Sequence, residues 1–488
     1  MNPSEVLIIK IKFLNAGLRI ETYGPFNLNT NTDKSHFMLH SKESSFSIRG
    51  VVEGFFGPPW SHEERLKMIM FFSECKFNLY IYAPKDDPFH RERWSEPYPK
   101  NQLAKLKALI EMAKQNSINF CFAISPGLSI RYSRDEDFET LTEKVETVRK
   151  MGVKWFGLFL DDIPMELQHE EDKQTFKSLA DAQAHLANRL LKFLKSKDPE
   201  TVLILCPTQY TGTSSTPYLE TLGSSTDPDV FIMWTGSTVC SPQIPSDHAD
   251  GFGAAIKRKP FIWDNYPVND YNRFRLFLGP VRARSKDLNK HASAFVSNPM
   301  NEADASKIPL LTIADYLYDP ENYNPEQSWE QALRNVAGEK AYKYLQAFVK
   351  QSQSSFLWET ESPELLKLIE SFWQNWETEK WEEGAKALTR KFKELADLQT
   401  NLFSTIENRQ LLEELLPYLE KLSLLGKMGM RCVDFLRIYK KTKKAKKIEK
   451  IRMEIMDMKK EAGENKYQIC GTLIEDFASK TLQTVGGS

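Results

Sequence analysis

Between residues 46 and 318, short apolar runs alternate with longer segments whose apolar positions recur every three to four residues. Eight runs read as strands. They are FSIRGVVEGF (46–55), NLYIYA (78–83), INFCFAI (118–124), KWFGLFL (154–160), VLILC (202–206), VFIMW (230–234), FIWD (261–264) and ASAFVS (292–297). Continuous apolar strands separated by helical patterns predict a parallel sheet covered on both faces. Eight such units over this length predict a (β/α)8 barrel of the α/β class, in preference to an open doubly wound sheet. The first helix opens with SHEE, a capping box of Ser61 and Glu64. Residues 172–194 keep one unbroken helical period.

After the proline-punctuated YDPENYNPEQSW (318–329) the strand signal stops, and long amphipathic patterns rich in Leu, Glu and Lys follow. The organisation read from these shifts is an N-terminal extension at 1–45, forming an edge strand or hairpin, and a (β/α)8 barrel at 46–318. A linker at 319–328 and an all-α helical bundle at 329–488 complete it. The tryptophans of SFWQNWETEKW are expected in the core or a groove of the helical domain rather than as sugar platforms, and the basic stretch 439–450 on a solvated helix face.

Bulk composition narrows the partners. Among 488 residues the formal net charge is −1, so no global field favours nucleic acid or an anionic membrane. The N-terminus has no basic lead-in and Lys10 and Lys12 interrupt its apolar run, unlike a signal peptide. No apolar run is long enough to span a bilayer. Six scattered cysteines without a C-x-x-C read as free thiols of a reducing compartment, with the cytoplasm favoured.

In a barrel, chemistry collects just past the carboxyl ends of the strands. Those positions hold Glu53-Gly54, Lys85 in APKDD, the SPG after strand three, Asp161-Asp162, Tyr210 in CPTQY, Trp234-Thr235, Asp264-Asn265 and Asn298. Hydroxyl-binding and ring-stacking groups at nearly every strand end suit a carbohydrate. The doublet Asp161-Asp162 ends an apolar strand, where a polar turn is the plain alternative. Glycoside hydrolysis usually needs two carboxyl groups, and adjacent acids in a pocket separate their proton affinities. The second doublet, Asp86-Asp87, reads as a turn with salt bridges. GFGAAI lacks the third glycine of a dinucleotide loop, and the spaced pair His36 and His40 lacks a third ligand, so neither a cofactor nor a metal is expected. No nucleophile elbow or phosphate loop occurs.

The ordered motifs GVVEGFFGPPW, YIYAPKDDPFHRERW, FAISPGL, LFLDDI, CPTQYTGT, MWTG, IWDNYPVNDYNR, LFLGP and VSNPM resemble the barrel of family 84 glycoside hydrolases, the O-GlcNAcases and related β-N-acetylglucosaminidases. The resemblance implies a retaining, substrate-assisted hydrolysis of terminal β-linked GlcNAc, in which the substrate's acetamido carbonyl attacks and forms an oxazoline. It implies that Asp161 orients the acetamido N–H and that Asp162 is the acid and base. It further implies sugar contacts from Gly54 (by its carbonyl), Lys85, Tyr210, Trp263, Asp264, Asn265, Asp270 and Asn298. One departure stands out: Gln209 occupies a position where glutamate is expected.

Three readings remain open. The substrate is O-GlcNAc on Ser or Thr of proteins, or a free glycan of hyaluronan or chitin type, or the chain is a non-catalytic sugar-binding or scaffold protein. The helical region is expected either to overhang the barrel mouth or to form a homodimer contact.

Overall fold

The computed structural model describes residues 8–12, 19–23, 44–357, 362–442 and 445–486. The chain divides into two compact units, Met1–Ser44 and Ser45–Ser488. In the first, β1 (Ile8–Lys12) and β2 (Arg19–Tyr23) form an antiparallel hairpin with Ile11 opposite Ile20. His36 and His40 lie outside the described residues.

The second unit is built on a closed eight-stranded parallel barrel. Its strands are β3 (Arg49–Glu53), β4 (Leu79–Tyr82), β5 (Asn119–Ile124), β6 (Trp155–Phe159), β7 (Val202–Cys206), β8 (Val230–Trp234), β9 (Phe261–Asp264) and β10 (Ala294–Ser297). β10 closes on β3, with Val296 beside Gly50. Each strand lies within one of the eight apolar runs. Strand residues alternate between two apolar clusters. Val52, Leu79, Ile81, Phe159, Ile204 and Trp263 fill the barrel, while Val51, Tyr80, Phe156 and Leu158 face the surrounding helices.

Around the barrel run α1 (His62–Glu74), α2 (Lys100–Gln115), α3 (Asp135–Arg149), α4 (Glu170–Thr175), α5 (Leu179–Lys197), α6 (Pro217–Ser225), α7 (Ser246–Ile256) and α8 (Ala303–Tyr318). Both bonds of the α1 capping box form: Glu64 N donates to Ser61 Oγ at 3.2 Å and Ser61 N to Glu64 Oε2 at 2.6 Å. The single period expected over 172–194 is instead broken between α4 and α5. Ser178 caps α5 by accepting from Asp181 N, and the buried Asp172 turns inward to accept from Tyr132 N and Ser133 N. The seventh connection, from β9 to β10, carries only two 3₁₀ turns, Asp270–Asn272 and Leu288–Lys290, instead of a helix. Its Pro267 and Pro280 interrupt any helical run.

Beyond α8 come α9 (Pro325–Ala337), α10 (Tyr342–Val349), α11 (Pro363–Gln374), α12 (Trp381–Thr405), α13 (Arg409–Lys441), α14 (Ala445–Glu464) and α15 (Leu473–Gly486). Phe372, Trp373, Trp376 and Phe477 meet in edge-on and tilted contacts as an aromatic cluster. No helix among the described residues is long and apolar enough to cross a membrane.

Barrel and helices meet at a buried carboxyl group. Glu414 of α13 accepts from Asp304 N at 3.1 Å and Ala305 N at 2.7 Å, capping α8. Burial pushes its pKa up from 4.5 to about 8, with Asp304 and Glu302 adding like charge. The folded chain therefore keeps a proton that the unfolded chain has lost from pH 4.5 upward. This group's contribution to stability is complete below that pH and disappears as pH rises through about 8. Glu414→Gln should cut the fall in Tm between pH 5 and pH 8, so that the variant gains on the wild type as pH rises. A pH-independent difference between the two melting curves would show that Glu414 does not titrate in this window.

Candidate active site

The doublet projects from β6 through Leu160, whose N–H donates to Cys206 O at 2.8 Å and whose carbonyl accepts from Thr208 Oγ1 at 2.7 Å. At Asp162 the chain turns into the left-handed region, with φ +54°, a conformation aspartate tolerates better than most residues. The turn makes the two acids unequal. Asp161 is 4% exposed, whereas the Asp162 side chain is 32% exposed.

Lys85, carried by the loop after β4, joins them. Its Nζ pairs with Asp161 Oδ2 and lies 3.5 Å from Asp162 Oδ2. The rings of Phe56 and Trp263 lie 5.6 and 5.9 Å from the same ammonium. Tyr210 OH donates to Asp162 Oδ1 at 2.8 Å, and burial together with this carboxylate raises the phenol's pKa. Asp161 Oδ1 is buried and has no hydrogen-bond partner among the described residues.

A second group forms the adjoining wall. Asn265 Oδ1 accepts from Trp263 Nε1 at 2.8 Å and from Asn298 Nδ2 at 2.9 Å, while Asn265 Nδ2 donates to Val239 O at 2.8 Å. Asn298 Oδ1 in turn accepts from Gly54 N at 3.2 Å. A Cβ at position 54 would sit 2.4 Å from the Trp263 ring, so only glycine lets the indole close over this strand end. Asp270 accepts from Phe56 N at 2.9 Å, and burial raises its pKa, with Asp162 and Lys85 among its charged neighbours. Gln209, where glutamate was expected, accepts from Thr216 Oγ1 at 2.8 Å, and Thr216 caps α6.

Three expectations change. Asp264, expected to bind sugar, is 0% exposed, and both its oxygens are held by Arg284 at 2.6 and 2.9 Å. It is a buried structural acid. Trp234 is fully buried, stacks on Phe252 and donates to Gly212 O, so it offers no face to a sugar. Asp87 accepts from the hydroxyls of Tyr82 and Tyr98 at 2.8 and 2.9 Å, within the expected turn, in place of a salt bridge. Two cations escaped the sequence reading. Arg91 donates to Asp162 O at 2.9 Å, and Arg65 pairs with the buried Glu53. Arg91 lies within the motif YIYAPKDDPFHRERW but was not singled out there, and Arg65 sits in no pattern that marks it, since single arginines in loops and on helices are ordinary surface residues.

A second recess, of about 460 Å³, lies at the amino ends of β7 and β8 beside Glu200, Val202, Val230 and Arg258. Arg258 there is spent on the carbonyls of Gly223, Thr226, Asp227, Val230 and Ile256, so the recess is packing rather than chemistry.

A (β/α)8 barrel whose strand ends gather two carboxyl groups, a lysine, a tyrosine and an indole is laid out as a glycoside hydrolase. Comparison with known proteins agrees. The β-N-acetylglucosaminidase family model matches residues 49–350, and a model described as hyaluronidase post-catalytic domain-like matches 364–478. The chain belongs to this β-N-acetylglucosaminidase family, that of family 84 glycoside hydrolases. It is 39% identical over 273 residues to the protein O-GlcNAcases of Rattus norvegicus and Mus musculus, a match covering 55% of this chain and 29% of each of those proteins. A mutant of the Thermobaculum terrenum O-GlcNAc hydrolase superposes with a TM-score of 0.87 at 35% identity, covering 90% of this chain and 95% of that one. CpGH84B gives 0.81 at 34% identity, covering 90% and 77%.

The buried pair offers a direct check. Arg284→Met strands Asp264 without a counter-charge, and unfolding free energy should fall by about 3–5 kcal/mol in urea titrations. A change below about 1 kcal/mol, the range of exposed pairs, would mean that Arg284 is not the partner this charge depends on.

Proposed function

We propose that the protein is a retaining exo-β-N-acetylglucosaminidase that hydrolyses terminal β-linked GlcNAc through an oxazoline intermediate. The observation that carries this reading is Asp161 Oδ1, a buried carboxylate oxygen without a donor among the described residues. Leaving such an atom unpaired costs about 1–3 kcal/mol, which a ligand N–H would recover. Lys85 holds the other oxygen, so the open one is already aimed. An acetamido N–H seated there would turn its carbonyl toward the anomeric carbon, and Asp161 would face the positive charge that grows on the ring being formed. The more exposed Asp162, steadied by Tyr210, would protonate the leaving oxygen and then deprotonate water. Trp263, Asn265, Asn298 and Asp270 would wall and anchor the sugar.

Six of the nine exposed large apolar side chains among the described residues are Phe56, Leu128, Met165, Val239, Tyr271 and Phe274, all on segments that follow barrel strands. A rim of this kind suits a polypeptide bearing O-GlcNAc better than a second sugar, which supports the protein substrate over the free-glycan alternative. The same reading puts the enzyme in the cytoplasm, on the strength of six free thiols, five of them buried. It also includes a homodimer through the helices, to which the exposed Met453 and Met456 of α14 would contribute. Sedimentation of the full chain should give twice the monomer mass, and a monomer at micromolar concentration would remove the dimer.

Separating the acids tests the mechanism. Asp161→Asn should lower turnover by about 10²-fold or more even with an excellent leaving group, because it removes a preorganised charge. Asp162→Asn should cost about 10²–10⁴-fold on poor leaving groups and much less on 4-methylumbelliferyl β-GlcNAc. Wild-type rates should drop steeply as fluorine replaces the N-acetyl hydrogens. A flat fluorine series together with a trapped covalent glycosyl-enzyme would instead assign the ordinary two-carboxylate route.

A further inference from the structure

We propose that Arg91 is a positioning residue for Asp162, holding the left-handed turn that aims its carboxyl group. The inference rests on the reading of Asp162 as the proton donor. The bend begins at residue 162. Pro164 disfavours a helical conformation at Ile163, so the chain leaving β6 turns at Asp162, with φ +54°. Aspartate tolerates that region better than most non-glycine residues, yet still at a cost that its surroundings have to offset.

Arg91 is the enforcement. It is 7% exposed, its Nη2 donates to Asp162 O at 2.9 Å, and its Nη1 donates to Ser125 Oγ at 3.3 Å. Ser125, fully buried past the end of β5, donates its own N–H to His90 O at 2.8 Å, and His90 Nδ1 bonds Ala123 O at 2.9 Å. The arginine is thereby locked to the strand between β4 and β6. No ion pair to Arg91 forms among the described residues, so a buried guanidinium is committed to one peptide carbonyl and one hydroxyl. Burying a cation is costly without return, and here the return is the orientation of the peptide that follows the acid. If Asp162 relaxed to negative φ, that peptide would rotate and the side chain would leave Tyr210 and Lys85. Thr208 holds the other side of the doublet through Leu160 O, so the two acids are clamped at both flanking carbonyls.

The test compares Arg91→Met, Arg91→Lys and Ser125→Ala on 4-methylumbelliferyl β-GlcNAc and on methyl β-GlcNAc, with thiazoline affinity measured in parallel. Arg91→Met should lose about 10²-fold on the methyl glycoside and under about 5-fold on the activated one, the pattern of a displaced general acid. Thiazoline binding, which uses the Asp161 side, should stay within a few-fold of wild type. Arg91→Lys should recover part of the loss, and Ser125→Ala should show a smaller defect of the same kind. Equal losses on both substrates with weakened thiazoline binding would overturn the proposal in favour of a purely structural arginine. If Arg91→Met does not fold, the Lys and Ala variants carry the same comparison. A double-mutant cycle keeps the two readings apart. Should Asp162→Asn show no leaving-group dependence, the acid assignment fails. Arg91 still acts through Asp162 if its effect vanishes in the Asp162→Asn background, and additivity there overturns the proposal.

Discussion

One ammonium, that of Lys85, is shared by two adjacent carboxyl groups in a site walled by the Phe56 and Trp263 rings. Lys85 and Asp161 are buried, and burying either charge alone is unfavourable, so they compensate only if their geometry is held. β4 and β6 supply them from either side of β5, so the barrel's closure sets their spacing. With two acids and one base the trio has one carboxyl group in excess, and Asp161 Oδ1 is the oxygen left without a donor among the described residues. The rest of the barrel mouth can be read as what is needed to keep that arrangement in place and to bring a sugar amide to it.

The helical region takes part in this from the side. Gln468 N donates to Phe274 O at 2.7 Å and Gln468 Oε1 accepts from Asn272 Nδ2 at 3.1 Å, so the segment between α14 and α15 holds the β9–β10 connection that carries Asp270. Glu414 caps α8, which follows Asn298 by a short loop. Asn269 bridges these regions by donating to Glu302 and accepting from Asn301 N. The helices thus brace the two strand-end loops that lack a covering helix or lead straight into α8.

The barrel was legible because buried parallel strands are continuous apolar runs, and all eight lie where the pattern put them. The doublet, Lys85 and Tyr210 could be brought to one place by strand-end position alone, since a barrel converges its carboxyl ends. Orientation was not legible. Asp264 and Asn265 are neighbours in sequence, yet one turns outward into Arg284 and the other inward to Trp263 and Asn298. Trp234 is the last residue of β8 and Trp263 the last but one of β9, and by that one residue one faces α7 and the other fills the barrel. The loss of the helix after β9 had a local signal in Pro267 and Pro280, whereas the roles of Arg91 and Glu414 depend on contacts between distant segments, for which a single chain of letters carries none.

The central claim is that Asp161 Oδ1 is the acceptor for the substrate's acetamido N–H. A crystal structure of the full chain with a thiazoline mimic of the intermediate tests it most directly. The account predicts the ring nitrogen about 2.7–3.0 Å from Asp161 Oδ1, the spacing of a charge-assisted hydrogen bond. Lys85 should still be on Asp161 Oδ2, and Trp263 should be packed against the ring's methyl group. A bound mimic that leaves Asp161 Oδ1 without a partner, or that sets its nitrogen on Asp162 instead, would contradict it.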